Sequence, residues 1–373
     1  MLSLDLSRLE SVAARLGLET AGGFGTRDRL KRINKALGER LAGGDADTRS
    51  ALAQAVADAD ASLPAAVRMA SKPVKSAEID HLRQDGCLDL GRRLGTEQAA
   101  ATEKHLLSRP LRIARRPHHW EPQVPSLGDL PRTVNFGCYD YLDLWSSPHL
   151  MELACQDDLL DLVQAYLGCT PTLCSLNAYW AQPERPADPE VQAFHRDLGD
   201  GRSLAVLSLL TPVEMPEEGG HFYVQTSHEP ERLEASLRAE GVGIKLEYLM
   251  AGTFVGPMSM RLFSRSARRF IGPAGTTLCV DPFGLHRSIA PRSRPKLLLE
   301  LRFGTFFNER LYDLELGRRN DVRRALRKVL IPVGAVVDPI RSRQARAVLR
   351  RIPATPRHRY IFRYMIHELS AEL

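Results

Sequence analysis

Hydrophobic residues recur at helical spacing through the first 75 residues of the chain. One series runs from Leu4 to Leu16 and a second from Leu30 to Leu41. Glycine pairs at 22–23 and 43–44 separate the series, as expected between helices. The pattern predicts a helical extension over residues 1–75, which either packs on the main domain or serves dimerisation.

Signals for helix starts and ends continue in the segment that follows. A helix that ends at Gly86 is followed by a short apolar run, which indicates a strand. Thr96 stands where a helix N-cap is expected and opens a helix that ends at Leu107. A further amphipathic helix, Asp157–Leu167, is stopped by Gly168.

From residue 172 the pattern changes to short apolar runs separated by glycine and proline. Many short strands of this kind are typical of an all-β sandwich or barrel. One charged helix, Pro230 to Glu240, is inserted among them, and the chain returns to helix after residue 309. The predicted strands are 173–176, 204–210, 222–225, 252–255, 276–280 and 297–303, and the predicted C-terminal helices are 322–330 and 341–351.

Composition is ordinary for a globular protein with a sizeable core. The 373 residues are 43% hydrophobic and 26% charged, which allows one large domain with extensions or two domains. No apolar run reaches the ~18 residues that a membrane span needs, and the N-terminus lacks the pattern of a secretory signal. The six cysteines form no Cys-x-x-Cys pair. We therefore expect reduced thiols in a cytoplasmic protein without a membrane partner.

The net charge of +6 is concentrated at the C-terminus. From Arg310 onward, 15 arginines and lysines stand against 6 acidic residues. A basic tail suits phosphate-bearing or acidic partners, although a solvated helical face is the simpler interpretation. The chain contains no glycine-rich phosphate loop and no RNA-binding motif, so a nucleic-acid partner is not expected.

His195 and Asp197 form the motif with the clearest chemistry. Residues i and i+2 of a strand point to the same face, so an imidazole and a carboxylate would lie side by side. With a second histidine, such a pair makes the facial triad of non-haem Fe(II) oxygenases, which leaves metal positions open. His286 is the candidate, 89 positions after Asp197. Only a fold that joins distant strands could complete this site.

Other histidines fit a metal site less well. His221 and His228 are seven residues apart around one strand, and this odd spacing places them on opposite faces. His286 instead lies between two apolar strands, and Lys296 opens the second of them. A lysine there could bind the distal carboxylate of an oxo-acid whose other end is held by the metal.

The β-rich region resembles the phytanoyl-CoA dioxygenase group of Fe(II)- and 2-oxoglutarate-dependent oxygenases, over about residues 77–308. The order and spacing of several motifs carry the resemblance. The Glu218–His228 segment is similar to the family's Asn-Gly-x-Leu … Pro-Gly-Ser-His strand and turn, with Thr-Ser-His in this chain. The other matching segments are the opening helix-Gly-strand, Tyr166-Leu167-Gly168, His195-Arg196-Asp197, Phe283 to Ser288 and the strand that begins at Lys296.

The resemblance implies an α+β protein with a double-stranded β-helix, or cupin-like jelly roll, as its core, flanked by helices. Three regions follow: a helical N-terminal extension (1–75), the oxygenase domain (76–308) and a basic helical C-terminal extension (309–373). A homodimer formed through the helical extensions would be consistent with this organisation.

The resemblance also implies site residues and cofactors. His195, Asp197 and His286 would bind Fe(II), with 2-oxoglutarate as co-substrate and O2 as oxidant. Lys296 falls where the family usually has arginine, which is a departure because lysine lacks the planar bidentate fork. The resemblance implies that Ser288 and Asn177 contact the co-substrate. The cation that binds its distal carboxylate would be Lys296, or else Arg294 or Arg302.

The expected reaction is hydroxylation of a small molecule or conjugated metabolite, with release of succinate and CO2. Related halogenases have a small residue in place of Asp197, so its presence favours hydroxylation. Two alternatives remain open from the sequence. One is a non-catalytic, cupin-like binding or regulatory protein, and the other is a hydrolase that uses zinc in the same triad.

Overall fold

The computed structural model describes residues 46–113, 123–183, 193–197, 202–244, 253–254, 262–305 and 339–373, apart from 71, 135, 216–217, 264 and 371–372. It also describes 10–18 except 12, and positions 33, 36, 40 and 185. The helix predicted over 322–330 and the glycine pairs at 22–23 and 43–44 lie outside these residues.

In the described residues, helices occupy the segments before residue 170 and after residue 338, and one further helix lies between strands of the β-rich region. Those helices are α1 (Ala46–Ala61), α2 (Ala65–Arg68), α3 (Ser76–Asp85), α4 (Thr96–Leu107), α5 (Tyr141–Trp145), α6 (Leu150–Ala154), α7 (Asp157–Leu167), α8 (Pro230–Ala239), α9 (Pro339–Arg351), α10 (Pro356–Ile361) and α11 (Arg363–Ser370). Gly86 and Gly168 follow α3 and α7 with φ values of 74° and 73°. Glycine adopts this left-handed conformation without steric cost, which confirms both predicted helix ends.

The start of α4 differs from the prediction by one residue. Its N-cap is Gly95, not Thr96, and the Gly95 N–H donates to Oε1 of Gln98 at 2.9 Å. The Thr96 hydroxyl instead accepts from Arg92 Nη1. The prediction of a threonine cap was wrong because the Gln98 side chain returns to the residue before it and fixes the helix start there.

The strands form two antiparallel sheets. In the described residues they are β1 (Cys87–Arg92), β2 (Leu111–Ile113), β3 (Gln123–Val124), β4 (Phe136–Tyr139), β5 (Thr172–Ala181), β6 (Phe194–His195), β7 (Ser203–Leu209), β8 (Gly220–Val224), β9 (Thr253–Phe254), β10 (Ala267–Phe270), β11 (Thr276–Val280), β12 (His286–Ile289) and β13 (Lys296–Gly304). The large sheet has the order β1-β11-β7-β13-β5-β4-β2-β3, and the small sheet has the order β10-β8-β12-β6-β9. The predicted α+β class with a two-sheet β core is confirmed.

Alternation along β13 divides the core into two layers. Leu297, Leu299, Leu301 and Phe303 pack on one side of the large sheet, in a cluster with helical residues. Leu298 points the other way, into a cluster between the two sheets. The period of two in side-chain direction explains this division. The inter-sheet cluster joins residues from β7, β11 and β13 to Tyr223 and Phe270 of the small sheet.

Helices from both ends of the chain contribute to the same core cluster. Leu52 and Val56 of α1 belong to it, as do Val348 of α9 and Leu369 of α11. The N-terminal and C-terminal helices therefore pack on the described body of the protein. None of the helices in the described ranges is both long enough and apolar enough to cross a membrane.

A buried ion pair anchors α10 to α7. Arg357 Nη1 lies 2.6 Å from Oδ1 of Asp161, and both side chains are at most 5% exposed. Breaking such a pair leaves an uncompensated buried charge. We expect Arg357→Met to lower the free energy of unfolding by about 3–5 kcal/mol in chemical denaturation.

Arg238→Met is the matched control, because the Arg238–Glu234 pair is solvent-exposed on α8. Its expected cost is below about 1 kcal/mol. Equal effects of the two substitutions would contradict a structural role for the Arg357–Asp161 pair.

Candidate metal centre

Strand pairing brings the distant histidine to the His-x-Asp motif. β6 pairs with β12, and His195 and His286 are direct cross-strand partners. Asp197 lies just beyond β6, so its position does not follow from strand alternation as predicted. Its backbone N–H donates instead to the carbonyl of Pro282 at 2.9 Å, in the turn before β12. The prediction that these three residues converge is consistent with this arrangement.

Among the described residues, one group of histidine, cysteine and acidic side chains is arranged to hold a metal ion. It consists of His195, Asp197 and His286, whose ligand atoms all lie within 4.8 Å of one another. The imidazole centroids are 4.4 Å apart, and His286 Nε2 is 3.8 Å from Oδ2 of Asp197. Metal–ligand distances for nitrogen and carboxylate oxygen are about 2.0–2.2 Å, so one ion could bridge all three with small side-chain rotations.

Backbone carbonyls set the tautomer of both histidines. Nδ1 of His195 lies 2.9 Å from the carbonyl of Ala193, and Nδ1 of His286 lies 2.9 Å from the carbonyl of Gly284. A carbonyl only accepts hydrogen bonds, so each Nδ1 carries the hydrogen and each Nε2 presents its lone pair. Burial, reinforced by His195, lowers the pKa of His286 to about 4. Two imidazoles that present Nε2 and a carboxylate fit a divalent first-row metal ion.

Arg302 stands directly behind Asp197. Its Nη2 donates to Oδ2 of Asp197 at 2.6 Å and to Oε1 of Glu300 at 2.6 Å. The Tyr179 hydroxyl donates to the other oxygen of Glu300 at 3.2 Å. Burial opposes the charge on Arg302, but the two carboxylates hold its pKa above the usual value. The suggestion that Arg302 binds the co-substrate conflicts with these contacts, which commit its guanidinium to Asp197 and Glu300.

Lys296 and Ser288 lie together next to the triad. The Lys296 ammonium donates to the Gly220 carbonyl, the Ser288 hydroxyl and the Ile289 carbonyl at 3.0, 3.1 and 3.0 Å. Three acceptors match the three hydrogens of an ammonium group. Burial, assisted by the charge of Arg269, lowers the pKa of Lys296 to about 7. The lysine is therefore predominantly charged only below pH about 7, and its hydrogens are directed at protein atoms.

Gly219 lies against the Ile289 carbonyl that accepts from Lys296. Its φ is +94°, and a Cβ there would lie 2.8 Å from the Ile289 carbonyl oxygen and 3.5 Å from the Lys296 nitrogen. Both the conformation and the space require glycine. The backbone conformation and the close approach to Ile289 thus explain why a glycine occupies position 219 in the Glu218–His221 segment.

The other two proposed co-substrate residues are placed less favourably. The Asn177 side chain is exposed, and its amide donates to the Ser175 hydroxyl at 2.7 Å. Arg294 forms an ion pair with Glu218 at 2.6 Å with 44% of its side chain exposed. The structure does not bring Arg294 into the buried group that contains Lys296 and Ser288.

His221 is the residue that the sequence argument passed over. Its ring stacks on His286 with centroids 5.6 Å apart, and it is 6% exposed. The seven-residue spacing argued against a metal site formed by His221 and His228 together. It did not bear on whether His221 lies beside a different histidine, such as His286. Glu300 was also not considered as a site residue from the sequence, and Arg302 was considered only as a co-substrate residue. The signal was present in the sequence, because both are charged residues at even positions in a run of leucines.

Several solved structures are similar to this chain. HygX from Streptomyces hygroscopicus, with nickel and 2-oxoglutarate bound, is 18% identical over 64% of this chain and 90% of its own, with a TM-score of 0.43. The non-heme alpha-ketoglutarate-dependent epimerase SnoN from nogalamycin biosynthesis is 15% identical over 61% and 82%, with a TM-score of 0.41. EctD from S. alaskensis, with bound Fe, is 15% identical over 63% and 78%, with a TM-score of 0.39.

No protein-family model matches the chain, and neither does any curated protein.

Arg302→Met tests how the ion pair supports the metal centre. Removing the guanidinium frees the Asp197 carboxylate to rotate and leaves it beside the Glu300 carboxylate. We expect Fe(II) affinity, measured by anaerobic titration, to fall about 10–100-fold, as is usual for residues that orient a metal ligand.

Arg112→Met is the control, because Arg112 forms a comparable buried pair with Asp140 that involves none of the triad residues. It is expected to leave Fe(II) affinity unchanged. Unchanged or tighter Fe(II) binding by Arg302→Met would show that orientation of Asp197 is not what Arg302 provides.

Proposed function

We propose that this protein is an Fe(II)- and 2-oxoglutarate-dependent dioxygenase of the phytanoyl-CoA dioxygenase type, which hydroxylates a small molecule or conjugated metabolite. The observation that carries the proposal is the convergence of His195, Asp197 and His286, with both Nδ1 atoms bonded to carbonyls. This donor set leaves part of the coordination sphere of a metal open for a co-substrate and dioxygen. The buried charge of Lys296 close to the triad supports an anionic co-substrate.

The residues of the chain have separate tasks in this function. His195, Asp197 and His286 would hold the metal, and Arg302 fixes the orientation of the Asp197 carboxylate. Lys296 and Ser288 would hold the distal end of 2-oxoglutarate. Fe(II) with 2-oxoglutarate and O2 supplies the oxidising chemistry that hydroxylates a C–H bond, with succinate and CO2 as products. Asp197, His286 and Lys296 are buried and His195 is half-buried, which limits the access of bulk water to this chemistry.

An anaerobic titration tests the proposal. Protein with Fe(II) and 2-oxoglutarate should give a weak visible charge-transfer band, and admission of O2 should yield succinate. His195→Ala and Asp197→Ala should abolish both signals, because each removes a metal ligand. His81→Ala is the control, since His81 is 41% exposed and pairs with Asp85.

The two alternative functions predict other results. A zinc hydrolase would bind zinc but give no band and no succinate, and a binding protein without a metal would take up neither ion. Unchanged succinate production by Asp197→Ala would count against the assignment of the triad.

The lowered pKa of Lys296 predicts a pH dependence of 2-oxoglutarate binding. Below pH about 7 the ammonium is already charged, whereas above that pH it must take up a proton to face the anion. Affinity should therefore fall as pH rises through 7, by up to about tenfold per pH unit. The Lys296→Arg protein, whose side chain stays charged, should bind 2-oxoglutarate with an affinity that does not change with pH over this range. The Lys296→Met protein should bind 2-oxoglutarate on the order of 10–100-fold more weakly than the wild type.

Titrations of the wild type, Lys296→Arg and Lys296→Met with 2-oxoglutarate check this pH dependence. They should run from pH about 6 to about 9, which covers about one to two pH units on either side of the midpoint. A wild-type affinity that does not change with pH would show that Lys296 is not the cation that faces the co-substrate.

A further inference from the structure

His221 has an arrangement that the folded chain alone does not explain. Neither ring nitrogen has a hydrogen-bond partner within the described part of the protein, although the residue is 6% exposed. A neutral imidazole carries one N–H donor and one lone pair. Leaving both unpaired in the interior is unfavourable, and buried polar groups without a protein partner commonly mark the binding site of a ligand, an ion or a water molecule.

The direction of the ring is set by strand pairing. His221 on β8 is the cross-strand partner of Ser288 on β12, and two residues further along each strand Tyr223 pairs with His286. Residues two apart on a strand point to the same face. Partners in register project to the same face of a sheet. His221 and Ser288 therefore lie one step beyond His286 on the face that carries the metal ligand, and stacking of His221 on His286 agrees with this placement.

The neighbouring donors match a carboxylate. The Ser288 hydroxyl accepts from the Lys296 ammonium, so its own hydrogen can donate to a ligand. The hydrogens of Lys296 are directed at protein acceptors, so it contributes mainly charge. The buried His221 ring adds one N–H donor beside the Ser288 hydroxyl.

We propose that His221 binds the distal carboxylate of the 2-oxo acid by donating a hydrogen bond, together with the Ser288 hydroxyl, and that this pair selects a dicarboxylic co-substrate. The inference rests on the proposed function and assigns a specificity-determining residue within it. His221 stands at the position that the Asn-Gly-x-Leu pattern gives to leucine. This chain thus has an imidazole where the family pattern has an apolar side chain. Leucine is therefore a suitable apolar substitution for testing the role of His221.

The test compares two ligands in anaerobic titrations of the Fe(II) protein, followed by the charge-transfer band. 2-Oxoglutarate carries the distal carboxylate, and 2-oxopentanoate has the same chain length without it. We expect His221→Leu to weaken 2-oxoglutarate binding about 10–100-fold, the range for loss of a charge-assisted hydrogen bond. Binding of 2-oxopentanoate should change less than about twofold, because that ligand has no group for His221 to contact.

His221→Gln retains an N–H donor and should recover part of the preference for 2-oxoglutarate. His221→Met provides a second apolar variant should His221→Leu fail to fold. The melting temperature of the metal-free His221→Leu protein should equal or exceed that of the wild type, because the substitution removes two unpaired buried nitrogens.

Equal losses for both ligands, or no loss for either, would overturn the inference while the proposed function stands. A melting temperature several degrees lower would also count against it, since the imidazole would then have a structural partner. Absence of any band in the wild-type protein would overturn the proposed function itself, and this inference with it.

Discussion

The pairing of β6 with β12 is the constraint on which the site depends. β6 contains only Phe194 and His195, yet it lies between β12 and β9 in the small sheet. Because His195 pairs directly with His286, two imidazoles that are far apart in the chain share one face. The turn before β12 also accepts the Asp197 N–H, so the same junction positions the carboxylate. β12 pairs on its other edge with β8, which adds Ser288 and His221 to this face.

The large sheet supplies the charges that surround the triad. Lys296, Glu300 and Arg302 occupy even positions of β13, opposite in direction to the leucines that pack on the helices. Each charge has a defined partner: the carboxylates hold Arg302, and Ser288 with two carbonyls holds Lys296. Buried charges are tolerated only with such partners. One strand therefore serves the hydrophobic core on one face and the polar site on the other.

Sequence reasoning succeeded where a pattern is long enough to read. The apolar runs that became β7, β11 and β13, and the helices that end at Gly86 and Gly168, have periodicity or a conformational requirement that is visible in the residues. It placed His195 on a strand but predicted neither the bounds of β6 nor the strand β12. β6 has two residues, and β12 has four that include the charged Arg287. Their pairing depends on tertiary contacts. The partner of Arg302 was also unpredictable, because Asp197 lies 105 positions away. The choice between Gly95 and Thr96 as N-cap depended on one side-chain contact of Gln98.

The formal charges around the site give a reason for a metal and a dianion to bind together. The carboxylates of Asp197 and Glu300 face Arg302. Lys296 and Arg269 contribute further positive charge, and His286 and His221 are neutral because burial lowers the pKa of each. Under the proposed function, a divalent ion alone would add two positive charges to this poorly solvated site, and 2-oxoglutarate alone would add two negative ones. Each loss of solvation is costly without a counter-charge. Bound together, the two ligands would compensate each other's charge, so each should strengthen the binding of the other by the same factor. The two polar nitrogens of His221 fit this picture, because they can bind an anion without disturbing the balance of charge.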